Sequence, residues 1–179
     1  MLVGWGLAAW VLAFAAIAPV HAEAVSLDNF ELSRSDDGLV LNFAARFELT
    51  KPIEEALQKG VPLFFVAQAE VFRDRWYWTD KRLANATRTW RLAYQPLTRK
   101  YRVTYGGLSQ HYDNLSDAMV AVSRSVNWRL VDAGQLDDGK VYVEFSYQLD
   151  TAQMPRPMQI GIGGQPDWSL KVERVRRLN

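Results

Sequence analysis

Of the chain's two histidines, His21 lies in an uncharged apolar stretch, and only His111 stands where acid–base chemistry could use it. It sits in Ser109-Gln-His-Tyr112, with Asp113 and Ser116 close behind. A Ser-His scheme is formally available there, with His111 as general base, Asp113 as its orienter and Ser109 or Ser116 as nucleophile. No Gly-x-Ser-x-Gly elbow accompanies it, and a histidine in a surface loop is the plainer reading. One usable imidazole and no Cys leave nothing from which to assemble a His cluster or a thiolate site, so no metal or other cofactor is expected. Asp36/Asp37 and Asp137/Asp138 are adjacent carboxylates in turn-like settings, where solvation favours ordinary ionised groups. Gly161-Ile-Gly-Gly164 is followed by Gln-Pro instead of a helix start, which makes it a turn and not a dinucleotide loop. The expectation is a protein that is not an enzyme, with a hydrolase built on His111 as a lesser alternative.

Residues 73–82, Arg-Asp-Arg-Trp-Tyr-Trp-Thr-Asp-Lys-Arg, are harder to explain by generic packing. Read as a strand, Trp76, Tyr77 and Trp78 must project to both faces, so at least one of them points away from the core. One account is a sheet covered on both sides, with arginines stacked beside the rings and Asp74 and Asp80 satisfying them. The other is a recognition patch, since Trp, Tyr and Arg dominate interface hot spots. The candidate binding residues are Arg75, Trp76, Tyr77, Trp78, Asp80, Arg91, Tyr94, Arg99, Tyr101 and Arg102, with Arg88, Trp90 and Tyr105 extending the same surface.

The elements that must position these groups are mostly strands. Leu39, Leu41, Phe43, Ala45, Phe47 and Leu49 alternate with polar neighbours, one face for a core and one for water. Val61, Leu63, Phe65, Ala67, Ala69 and Val71 repeat the pattern, but Phe64, Val66 and Phe72 between them are apolar too, which predicts a central strand covered on both sides. Further period-two runs are Trp90/Leu92/Tyr94, Tyr101/Val103/Tyr105, residues 141–149, Met158/Ile160/Ile162 and Trp168/Leu170/Val172. Two short helices interrupt them. Residues 52–60 carry Pro and two Glu in the first turn and Lys-Gly at the stop. The second starts at Asn114, a good N-cap, and sets Leu115, Ala118, Met119, Val122 and Val126 on one face. Asp36-Asp37-Gly38 and Asp137-Asp138-Gly139 read as hairpin turns. The expected fold class is mainly β, an antiparallel sandwich of immunoglobulin-like or C2-like type with two short helices.

Residues 1–22 contain no charged side chain and end in Ala-Pro-Val-His-Ala, which reads as a signal peptide cut between Ala22 and Glu23. Left uncut, residues 2–20 would just reach the roughly 20 residues of a membrane anchor. Residues 23–179 then form a single domain, periplasmic if released and held to the inner membrane if not. With 21 basic against 20 acidic residues, near-neutrality argues against nucleic acid as a partner. The C-terminal residues 171–179 are locally basic, with four positive side chains against one negative.

Several runs together resemble one bacterial family: Glu-Glu-Ala-Leu-Gln-Lys-Gly-Val-Pro-Leu at 54–63, Arg75-Trp-Tyr-Trp-x-Asp80, Arg91-Leu-x-Tyr94, Leu97-Thr-Arg-x-Tyr-Arg102 and Asp167-Trp-x-Leu170. The chain is similar, over nearly all of residues 23–179, to the family of unknown function numbered 4390. The resemblance implies an exported protein without assigned activity or catalytic residues, whose gene tends to lie beside a membrane sensor histidine kinase. The leading expectation is therefore a periplasmic interaction module presenting its aromatic and Arg residues to a protein partner at the envelope, such as that sensor. The alternative is a membrane-associated structural protein of the envelope.

Overall fold

The computed structural model describes residues 25–75, 79–136, 139–162 and 164–178. The leader with its Ala22/Glu23 junction, the aromatic triplet Trp76, Tyr77 and Trp78, and the Asp137/Asp138 pair lie outside the described residues. Among the described residues there are nine strands and three α-helices.

Strand β1 (Val25–Ser35) turns through Asp36 and Asp37 into β2 (Gly38–Phe47), as the Asp-Asp-Gly signal predicts. Helix α1 (Lys51–Gln58) follows, with Pro52 in its first turn and Ile53, Ala56 and Leu57 buried. It bridges to β3 (Leu63–Arg73), which pairs with the long β4 (Lys81–Gln95). Strands β5 (Lys100–Tyr105) and β6 (Leu108–Tyr112) form a hairpin closed by Gly106-Gly107, both at positive φ as a two-residue turn requires. Helix α2 (Leu115–Ser123) is capped by Asn114, whose Oδ1 accepts from the Asp117 N–H at 2.8 Å. Then come β7 (Arg124–Asp132), β8 (Val141–Leu149), helix α3 (Arg156–Ile162) and β9 (Lys171–Leu178).

The strands make two antiparallel sheets, β1-β2-β7 packed on β6-β5-β4-β3-β8-β9. The mainly β, sandwich-like fold agrees with the period-two pattern, and β3 lies near the middle of the larger sheet. The seam is aromatic. Phe43 of β2 lies with its ring centroid 4.9 Å from Phe145, 5.8 Å from Tyr147, and 6.2 Å from each of Trp90 and Trp128. Tyr147 buries its hydroxyl as well and donates it to the Val122 carbonyl at 3.0 Å. That bond ties the larger sheet to α2, which covers the inner face of β5 and β6 where the smaller sheet ends.

Four expectations are corrected. Met158, Ile160 and Ile162 are not a strand: they lie in α3, a third helix where two were expected. Met158 and Ile162 are spaced i, i+4, so a helix puts both on one side against the core and leaves Ile160 at 88% exposure. Pro157 falls in the first turn, where a missing N–H costs nothing. Val126 does not share the face of α2, because that helix stops at Ser123 and Val126 is an exposed residue of β7. The two-sided burial expected for β3 is one-sided. Leu63, Phe65, Ala67, Ala69 and Val71 are buried, whereas Phe64, Val66 and Phe72 are half-buried on an outer face shared with Gln68 and Glu70. Finally, residues 74 and 75 and 79 and 80 belong to the β3–β4 connection, so the described flanks of the aromatic triplet are not a strand. None of the described helices is long and apolar enough to cross a membrane.

Candidate binding site

Those of the sequence-chosen residues that are described do not converge. Arg75 and Asp80 lie at the end of the sandwich where β3 meets β4, and Arg99 lies in the β4–β5 turn. The intervening strand is 15 residues long, about 50 Å at ~3.4 Å per residue. Arg91 and Arg102 face the outer side of the larger sheet, where Arg102 donates to the Ser109 hydroxyl at 3.0 Å. Tyr94 and Tyr101 are cross-strand partners on the opposite, inner side, with ring centroids 5.0 Å apart and packed against the core. Strand alternation separates them from the arginines they adjoin in sequence.

The β3–β4 connection is tied down by its acids. Asp80 accepts from the Arg75 backbone N–H at 3.1 Å and from the Tyr142 hydroxyl at 2.8 Å. Asp74 pairs with Arg177 at 2.9 Å, and the Arg177 guanidinium lies 5.7 Å from the centroid of the Tyr142 ring. The hydrogen bond from Tyr142, then that from Arg75, holds the Asp80 carboxyl below its usual pKa. The same bond is the largest cause that pushes the Tyr142 phenol up to about 12. The stabilisation at Asp80 is present above the ordinary carboxylate pKa and is lost as pH falls through the depressed folded value. That at Tyr142 is complete below about 10 and is lost as pH rises toward about 12. In Asp80→Asn, the Tyr142 ionisation midpoint should drop back toward 10, followed by NMR of labelled tyrosine carbons. A midpoint that stays put would show that the Asp80 bond is not its cause.

His111 is exposed on the outer side of β6, in register with Arg102. Ser109 is engaged by Arg102 and Thr104, and Asp113 pairs with Lys100 at 2.9 Å. Among the described residues no hydrogen bond joins His111 to Ser109, Ser116 or Asp113, and Ser109 and Asp113 are engaged by other side chains. Among the described residues no group of His, Asp and Glu could hold a metal ion. The basic C-terminal stretch is β9, where Lys171 pairs with Glu173 and Arg177 with Asp74.

A different residue has the environment of a binding group. Arg88 stands on the inner side of β4, in the alternation Ala84, Ala86, Arg88, Trp90, Leu92. Its guanidinium lies 5.1 Å from the Trp128 ring centroid and 5.5 Å from that of Tyr105. It donates to Ser125, the only polar residue that is buried among those described. No carboxylate pairs with it among the described residues. Burial lowers its pKa, and Tyr105 acts in the opposite sense. The rings are continuous with the core, since Trp90 stacks on Tyr105 at 5.3 Å and Trp128 touches Phe43. The slot opens into a cleft of about 820 Å³ whose wall includes Ser33, Ser35, Asp37, Thr87, Asn127 and Arg129.

This arrangement can hold an anion. A half-desolvated guanidinium with aromatic faces and one hydroxyl partner keeps N–H groups for a carboxylate, and such charge-assisted bonds are stronger than neutral ones. Sequence reading placed Arg88 among the residues that extend the patch without singling it out. The available signal was a cation at the inward position of an otherwise apolar alternation.

A family model described as Domain of unknown function (DUF4390) matches residues 22–177. Neither the curated proteins nor the solved structures contain a match to the chain.

Proposed function

The chain belongs to the DUF4390 family, and from that premise we propose that it is an exported binding module of the bacterial envelope that holds an anionic group of a protein partner in the Arg88 slot. The observation that carries this reading is Arg88 itself, half-buried between Trp128 and Tyr105 and, among the described residues, without a carboxylate partner. A structural arginine at that depth is normally satisfied by an acid in the same chain, because desolvating the charge is costly. Here the compensation is left to rings, one hydroxyl and whatever enters the cleft. The partner that fits the export signal and the family resemblance is the extracytoplasmic region of a membrane sensor histidine kinase. The connection carrying Arg75 and Asp80 presents a second surface, at the end of the sandwich.

Calorimetric titration of the sensor's extracytoplasmic region should give binding that weakens with salt. Arg88→Gln should weaken it by about tenfold or more, the scale of one charge-assisted hydrogen bond. No affinity for wild type, together with unchanged sensor output in a deletion strain, would remove the sensor as partner. Mass spectrometry of the protein from cells should find a start at Glu23, and an intact residue 1–22 segment would favour the anchored alternative.

A further inference from the structure

We infer that the Arg88 cleft receives an extended acidic segment of a partner protein, which adds as a strand to the free edge of β4 and places a carboxylate on Arg88. This deepens the binding-module reading and rests on it.

The edge is a product of unequal strand lengths. β4 pairs with β3 along Lys81–Leu92, but its pairing with β5 begins only at Trp90, opposite Tyr105. Residues 81–89 therefore have a strand on one side and, among the described residues, none on the other. Among the described residues no backbone hydrogen bond is made to that side, and open edge groups of this kind are what β-augmentation uses. An added strand would run in line with β5, beyond the Gly106-Gly107 turn.

Charge selects the occupant. β4 carries Lys81, Arg82, Arg88 and Arg91 and no acidic residue. Lys81 and Arg82 are exposed at the start of the free edge, where Arg82 lies 3.6 Å from Glu70. Two copies of this edge meeting each other would bring like charges together, which disfavours self-pairing. A strand laid beside residues 81–89 sends alternate side chains to the inner side, where Arg88 waits over Trp128. The register Trp90↔Tyr105 puts the Gly106-Gly107 turn opposite Arg88, so the first inward residue of the added strand lies diagonal to it, roughly 7–8 Å away and within reach of a Glu carboxylate.

The test uses the full chain and synthetic nine-residue peptides of alternating Thr and Gln with a single Glu moved through every position, read by fluorescence anisotropy. Binding should peak with period two in the Glu position, and Glu→Gln at the best position should lower affinity by about tenfold to hundredfold. N-methylation of the peptide backbone should abolish binding at alternate residues only, because successive amides of a strand point to opposite neighbours. Hydrogen exchange should slow at alternate amides within residues 81–89. Arg88→Gln should erase the advantage of Glu over Gln, and if that variant does not fold, the peptide substitutions still decide. Tolerance of N-methylation at every position, with the Glu preference intact, would overturn strand addition and leave anion binding at Arg88 standing. Absence of both the Glu preference and the Arg88 dependence would overturn the binding-module reading as well. Protection of residues 81–89 that rises with protein concentration without peptide would make a second copy the occupant and overturn the acidic segment.

Discussion

Phe43→Ala is expected to lower the stability of the domain by about 3–5 kcal/mol, the cost of a large cavity at a site whose walls cannot close. Phe43 is 2% exposed and is the ring through which β2 of the smaller sheet meets β4 and β8 of the larger. Its neighbours Trp90, Trp128, Phe145 and Tyr147 are large and are themselves held by the two ladders, so they cannot collapse into the space. Against a typical total of ~5–15 kcal/mol, such a loss would leave a marginal domain. Denaturant melts followed by tryptophan fluorescence would measure it, with Phe43→Leu as the milder control at under about 1.5 kcal/mol. A loss below about 1 kcal/mol for the alanine variant would mean that the sheets do not pack through this ring. The same variant would open the slot from behind, because Trp128, which stacks under Arg88, rests on Phe43.

The second large effect is steric. Gly38 opens β2 at φ +131°, and a Cβ there would stand 2.0 Å from the Val131 carbonyl oxygen and 2.9 Å from the Ala133 nitrogen. Those atoms are backbone of β7 and the turn after it, held by the β2–β7 ladder and by the Ala133 N–H bond to Asp37. Nothing flexible can yield. Gly38→Ala should therefore cost about 3 kcal/mol or more, combining the strain of a forbidden φ with displacement of a strand. Gly60→Ala separates the two contributions: Gly60 has φ +87° but nothing within 4 Å of its added Cβ, so only about 1 kcal/mol is expected. Equal melts for the two variants would refute the close approach of β7 to the first hairpin.

Much of this fold is legible because burial acts residue by residue along a strand. Leu39, Leu41, Phe43 and Ala45 announce their inward face by alternation alone, and Asn114 and Pro52 announce helix starts by local chemistry. Where local pattern misleads, the reason is that two periods fit the same few residues. Met158, Ile160 and Ile162 satisfy a strand in sequence, yet burial of Met158 and Ile162 without Ile160 satisfies a helix better. Strands β1, β6 and β7 carry weaker alternation and are specified by the neighbours they pair with. The bulges in the β2–β7 ladder, with Asn127 at φ 52° bonded through its N–H to Asn42, break the period that would have revealed β7.

The candidate site divides in the same way. Sequence alone determined the family, the mainly β class, the Cys-free and charge-balanced composition and the presence of a segment rich in Arg and aromatic residues. It did so because these properties are sums over the chain or repeat at fixed local spacing. Only the tertiary structure decided which arginine matters. Residues 75 to 102 are neighbours in sequence, but a long strand carries its two ends apart and its two faces opposite ways, so Arg91 and Arg102 face outward while Arg88 turns inward. Trp128 and Ser125 come to Arg88 from β7, some forty positions away, and the free edge beside it exists because β5 is shorter than β4. Pairing, facing and strand length are relations between distant parts of the chain, and burial energy settles them only when both sheets are in place.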